Sequence, residues 1–305
     1  MPHPRPKGTG KVGIRCITAY LAHTCFAASL LFTFGALQPA KAQPAVLPNY
    51  QPAHRGGTLR LVASTSGGTL DPHINYSAKY INLFAVVYDG LTTFKKVQGP
   101  DGNTVVPDLA ESLPTPQDGG LTYTFTLRPN LFFSNGKPVT TADVAASLRR
   151  IFKVGSPTAG SFYAAIVGAE QCLQNPATCT LQGGVEEHPA QRTITLHLTK
   201  PDTEFLQKLA FTHAVIVPAD TPTQDVGNTP IPSTGPYRIA SYNPNAALVL
   251  ERNPAFHPWS TEAQPPGYPD AIEYSFGIPD EAAVTAVENG QYDFMADTIP
   301  MDRLG

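Results

Sequence analysis

Gly56-Gly57-Thr58-Leu59-Arg60, Leu70-Asp71-Pro72-His73, Val106-Pro107-Asp108-Leu109-Ala110-Glu111-Ser112, Leu121-Thr122-Tyr123-Thr124-Phe125-Thr126-Leu127-Arg128, Phe133-Ser134-Asn135-Gly136-Lys137-Pro138-Val139-Thr140-Thr141-Ala142-Asp143-Val144 and Ser233-Thr234-Gly235-Pro236-Tyr237-Arg238 follow one another in this order along the 305-residue chain. Residues 58–62 alternate as a strand, and Leu70-Asp71-Pro72-His73 reads as a turn feeding a loop. In the fourth stretch Tyr123, Phe125 and Leu127 alternate with Thr122, Thr124 and Thr126, giving one apolar and one polar face. Ser134-Asn135-Gly136-Lys137-Pro138 is a turn. Thr140 followed by Asp143 has the pattern of a capping box, and the helix behind it turns Val144, Leu148, Ile151 and Phe152 inward.

Outward from these stretches, residues 77–88 fit a helix with Tyr80, Leu83, Phe84, Val87 and Tyr88 on one stripe and Gly90 at its end. Residues 193–198 alternate again, with Ile194, Leu196 and Leu198 inward. A short helix over 201–210 and a short strand over 215–217 follow. Strands are expected at 237–242, 248–252 and 272–276. Asp280 is expected to cap a last helix that runs through Asn289 and stops at Gly290. Strands mixed with helices, without a regular βαβ repeat, predict a mixed-sheet α/β protein.

The first 42 residues read as a secretory signal. Arg5, Lys7, Lys11 and Arg15 form a positive start. An apolar run over 24–37 is short for a membrane span, and Ala40-Lys41-Ala42 supplies a cleavage pattern. An uncleaved anchor is the competing reading. Residues 43–55 form a Pro-rich leader expected to be mobile. Five of the 21 basic residues and none of the 24 acidic ones precede Gln43, so the mature part holds 16 basic and 24 acidic residues, a net charge of −8. With no basic run, nucleic acid and anionic membrane surfaces are poor partners. Cys172 and Cys179 remain after cleavage, and in an oxidising compartment they read as a local disulfide on a surface excursion. Metal binding is the weaker alternative, because only His188 is near.

The ordered stretches together resemble the family 5 extracellular solute-binding proteins, the oligopeptide, dipeptide and nickel receptors of bacterial ABC importers. The resemblance covers about residues 56–293 and implies an α/β fold of the periplasmic-binding-protein-like type II, here its first lobe only. Domain I would comprise residues 56–96 and 218–298 and would be incomplete; an inserted domain II would span 97–217; a second lobe would begin at 299–305. The implied protein is exported, periplasmic or extracellular, and monomeric, needs no cofactor, and delivers peptides or similar small solutes to membrane permease subunits. Because members of that family are considerably longer, weak ligand affinity is expected unless a second polypeptide completes the cleft.

In such receptors the loop after Leu-Asp-Pro-His and the turn at Thr-Gly-Pro-Tyr line the cleft. This assigns ligand contact to Asn75, Tyr76 and Ser77, and to Ser233, Thr234 and Gly235. Tyr163, beside Phe162 in the loop after the Asp143 helix, is a third candidate. Core packing is the competing reading for each aromatic. His73 is expected to cap backbone, and the six histidines after residue 42 show no spacing that suits a metal. No Gly-x-Ser-x-Gly, His-Glu-x-x-His, P-loop or dinucleotide pattern occurs, so no catalytic residue is assigned. A secreted α/β hydrolase is the alternative function.

Overall fold

The computed structural model describes residues 50–297 and 299–300. The signal reading and residues 43–49 of the leader lie outside the described residues, as does the last segment, 301–305. The chain forms strands β1 (Thr58–Val62), β2 (Thr92–Phe94), β3 (Val105–Pro107), β4 (Thr122–Thr126), β5 (Val185–His188), β6 (Thr193–His197), β7 (Tyr237–Asn243), β8 (Ala247–Arg252), β9 (Ala271–Ser275) and β10 (Phe294–Met295). Its helices are α1 (Ala78–Phe84), α2 (Thr141–Lys153), α3 (Ala159–Phe162), α4 (Ala169–Gln174), α5 (Phe205–Leu209) and α6 (Asp280–Glu288).

A five-stranded sheet has the order β10-β1-β9-β8-β7. Its β10, β1 and β9 run parallel, whereas β9, β8 and β7 pair antiparallel. Mixed pairing of this kind is what an α/β chain without a regular βαβ repeat produces. α1 buries Tyr80, Leu83 and Phe84 in one core together with Leu61, Leu248, Leu250 and Tyr274 of the sheet. A second, three-stranded sheet has the order β4-β6-β5. Phe125 faces Ile194 and Tyr123 faces Leu196 across it, and α2 packs Val144, Leu148, Ile151 and Phe152 into the same core. The capping box of α2 forms as expected: Thr140 Oγ1 accepts from the Asp143 amide, and the Asp143 carboxylate accepts from the Thr140 amide at 2.8 Å.

Several expectations change in three dimensions. Residues 215–217 are extended but join no sheet. Val215 O accepts from the His73 ring, and Val217 is held through both backbone groups by Ser147 Oγ. The Ile216 amide donates to the Asp89 carbonyl at 2.8 Å, so two side chains and one isolated backbone bond take the place of a neighbouring strand. Asp280 is the first helical residue of α6 and Pro279 holds the cap position, so the acid acts on the helix dipole and not as a cap. Gly290, at φ +71, does end that helix, because it supplies the left-handed residue that closes the last turn. Tyr50 of the leader is docked and not loose: its ring stacks on Tyr268 at 5.1 Å.

Cys172 and Cys179 are disulfide-bonded, with Cα atoms 4.4 Å apart. Both sulfurs are buried in the core with α2, while residues 173–178 between them are exposed or half-buried, so the bond pins a surface excursion as expected. Replacing both with alanine is expected to cost about 2.5 kcal/mol through the loop-closure effect of so short a loop, and urea unfolding of the oxidised and double-alanine proteins measures it.

Candidate functional site

Two of the sequence stretches meet at a buried charge. Asp71 and Arg150 pair with side chains 0% and 3% exposed. The guanidinium donates to Asp71 Oδ1 at 2.8 Å and to His73 Nδ1 at 3.1 Å. It also donates to the carbonyls of Pro222 and Gln224 at 2.6 and 3.1 Å. Asp71 in turn accepts from the amides of His73 and Val226. One arginine on α2 therefore ties the Leu-Asp-Pro-His turn to the loop over residues 222–226. Burial pushes Asp71 up, but the Arg150 hydrogen bonds and charge outweigh it and leave the carboxyl below its ordinary value. Burial, aided by Arg150, lowers His73 to about 4. The ring is then neutral, with its Nε2 proton on Val215 O at 2.9 Å. His73 caps no local turn; its bond is to a carbonyl 142 positions away.

Ser233, Thr234 and Gly235 form a second joint. The Ser134 amide donates to Ser233 O at 2.7 Å, and the Ser233 amide donates to Ser134 Oγ, so the Phe-Ser-Asn-Gly turn is bonded directly to this one. Thr234 Oγ1 donates to Asp89 at 2.7 Å. The Gly235 amide donates to Val87 O, and a Cβ there would stand 2.8 Å from the carbonyl oxygens of Val86 and Val87. The close approach that glycine permits is therefore to α1's trailing backbone. Ser233 and Thr234 are buried with their polar groups engaged inside the fold.

Asn75 is also inward: its amide donates to Gly67 O and Thr69 O, and its Oδ1 accepts from the Ser77 amide. Ser77 is half-buried and caps α1 through Tyr80 N. Tyr163 is fully buried in the second core, its hydroxyl donating to Lys208 O at 2.9 Å. Tyr76 alone of the seven candidates is an exposed large side chain, at 54%. It lies against the His213 ring, with centroids 5.0 Å apart. His213 is buried, with Nε2 at 3.2 Å from Asn75 O and Nδ1 without a partner; burial lowers its pKa.

Three groups of consequence escaped the sequence reading. Arg150 looked like one polar residue on a helix, and its partners lie more than 70 positions away. Asp89 and Asp108 sit together beneath the Thr234 turn. Burial raises Asp89 to about 6, and burial with the neighbouring Asp89 raises Asp108 well above the carboxylate range. Gln264 donates to Asp89, and Trp259 Nε1 to Asp108 at 3.0 Å. Both aspartates stand in quoted or adjoining stretches, but nothing in their spacing signals the pairing. Among the described residues no group of three His, Cys, Asp or Glu side chains could hold a metal ion, and no helix is long and apolar enough to cross a membrane.

The chain resembles known proteins along most of its length. The probable D,D-dipeptide-binding periplasmic protein DdpA of Escherichia coli (strain K12) is 28% identical over 245 residues, covering 77% of this chain and 42% of that protein. A dipeptide-binding protein of Lactococcus lactis subsp. cremoris (strain MG1363) is 33% identical over 146 residues, covering 47% of this chain and 25% of that one. Among solved structures, clavulanic acid biosynthesis oligopeptide binding protein 2 superposes with a TM-score of 0.67 at 31% identity, over 78% of this chain and 43% of that one. The murein tripeptide binding protein MppA of Escherichia coli shares the fold, with a TM-score of 0.63. These neighbours confirm the periplasmic-binding-protein-like type II architecture. The chain spans less than half the length of each of these proteins. The sequence profile of bacterial extracellular solute-binding proteins, family 5, middle part, matches residues 104–303, and the chain belongs to that family.

Proposed function

We propose that this chain is the substrate-binding component of an ABC importer, receiving peptides or similar small solutes outside the cytoplasm and handing them to a membrane permease. The observation that carries this reading is the family match over residues 104–303, joined by relatives whose names describe dipeptide and oligopeptide binding. Export is supported by the positive, apolar and small-residue pattern of residues 1–42. The two cores suit a lobe built from a discontinuous first domain, residues 56–96 with 218–298, and an inserted second domain, residues 97–217. Some side chains cross those limits: Leu91 and Trp259 pack with the second sheet, and Val215 and Val217 pack with the first. The binding role needs no catalysis, and the hydrolase alternative gains nothing from the relatives.

Within this reading Tyr76 is the contact on the first lobe, a ring that stacks on a ligand and hydrogen-bonds it. Asn75 and Ser77 shape its loop. Titration calorimetry with di- and tripeptides is expected to show Tyr76→Ala weakening binding about tenfold, the loss of one stacking contact. Equal binding by the parent and Tyr76→Ala would remove Tyr76 from the site.

A further inference from the structure

A half-enclosed groove of about 200 Å³ opens between α1, β2 and the segment after α5. Its walls are mostly apolar: Ile81 and Ala85 on one side, Phe94 and Phe211 on the other. The two rings meet edge to face at 5.6 Å, and Phe162 braces Phe211 from behind at 5.2 Å. A groove of this size and polarity suits one ring or one branched aliphatic group.

Its polar features are few and all point one way. Lys96 stands at the rim, half-buried. Its ammonium reaches Ala85 O at 3.2 Å and Thr93 Oγ1 at 3.5 Å, two long contacts for a group that carries three donors. No carboxylate among the described residues lies within ion-pair distance of it. Asp108 lines the same end; burial and the neighbouring Asp89 raise its carboxyl above the ordinary value, the Lys96 charge acts against that shift, and Trp259 Nε1 donates to its Oδ1. Thr212, in the wall, has a buried hydroxyl without a hydrogen-bond partner. The Lys96 charge acts on Asp89 and Asp108 from beyond ion-pair distance, so an ammonium without a direct ion pair stands above an apolar slot and favours an anion with an apolar body over a neutral or cationic ligand.

We propose that this groove binds a compact apolar group ending in a carboxylate, with its ring or branched chain between Ile81, Ala85 and the Phe94–Phe211 pair and its carboxylate on Lys96 Nζ. The C-terminal residue of a peptide and a free aromatic or branched carboxylic acid share this chemistry. Tyr76 does not line the groove, and the site stands on the groove alone, whether or not the chain serves an importer.

The test compares phenylacetate with phenylacetamide, and the tripeptide Gly-Gly-Phe with its C-terminal amide, by titration calorimetry against the purified chain. Trp259, the only tryptophan in the sequence, gives a second readout through its bond to the groove residue Asp108. Phenylacetate is expected to bind one to one with a dissociation constant on the order of 1 mM, at least tenfold tighter than its neutral amide. Lys96→Met should abolish that preference, and Ala85→Leu, which fills the slot, should weaken acid and amide alike. Thermal melting of both variants establishes that they fold, and the acid-against-amide comparison in the parent needs no variant. A matching preference for Gly-Gly-Phe over its amide extends the site to peptide termini; a preference confined to phenylacetate assigns it to free acids. No binding of phenylacetate at 10-fold above the expected constant, equal binding of acid and amide, or a preference that survives in folded Lys96→Met would each overturn the proposal.

Discussion

Replacing Arg150 with methionine is expected to destabilise the protein by about 3–5 kcal/mol, because it leaves the Asp71 carboxylate buried without its counter-ion. The side chains of this pair are 3% and 0% exposed, so water does not screen the loss. The same substitution removes the donors to the Pro222 and Gln224 carbonyls and to His73 Nδ1. For a chain of this length the melting temperature should fall by about 10 °C. Arg150→Met combined with Asp71→Asn should recover part of the loss, since the amide still accepts from the His73 backbone and carries no charge. Chemical unfolding of the parent, the single variant and the double variant measures both terms. A single variant within about 1 kcal/mol of the parent would show that the pair does not join α2 to the Leu-Asp-Pro-His turn energetically.

The second large effect is one of pH, at Asp89 and Asp108. Burial lifts Asp89 to about 6, above its ordinary carboxylate value, and lifts Asp108 as well. An acid whose folded pKa is raised favours the folded state while it is protonated. That stability is complete below the unfolded value near 4 and is lost as pH rises through about 6. His73 acts in the opposite sense: lowered to about 4, it holds stability above its unfolded value near 6.5 that is lost as pH falls toward 4. The two slopes oppose each other in the parent, so the informative quantity is a difference. Asp108→Asn keeps an oxygen for Trp259 Nε1 and removes one of the two like charges. Its stability relative to the parent should be near zero at pH 4 and rise to about 2–3 kcal/mol in favour of the variant by pH 7. His73, which is not among the groups that shift either aspartate, cancels in the comparison. A difference that does not change with pH, or a variant less stable at pH 7, would mean that the two carboxyls do not compete for charge.

Much of the fold was legible because it rests on local chemistry. Thr140 and Asp143 lie three residues apart and close a capping box whatever surrounds them. The alternation of Tyr123, Phe125 and Leu127 can bury its rings only as a strand with one inward face, and β4 does so. Cys172 and Cys179 are seven positions apart, near enough that the chain alone brings them together.

The candidate site was far less legible. Gly235 signalled a close backbone approach, but the sequence could not say whose backbone, and α1's trailing carbonyls, not a ligand, turned out to occupy it. Tyr76 and Tyr163 are the same side chain in similar loops; one is 54% exposed and the other fully buried, because Lys208 O reaches the second hydroxyl from 45 positions away. Residues 215–217 have strand composition yet pair with side chains. By itself the sequence determined β1, β4, β6 to β9, the helices α1, α2, α5 and α6, the α2 capping box, the disulfide and the family, all of which depend on neighbours within a few residues or on an ordered series of such neighbourhoods. Tertiary structure decided which polar groups are consumed inside the fold and which remain at the surface, because burial and hydrogen-bond partnership are set by residues distant in sequence, from 45 positions for Tyr163 and Lys208 to 175 for Asp89 and Gln264, and no periodicity records them.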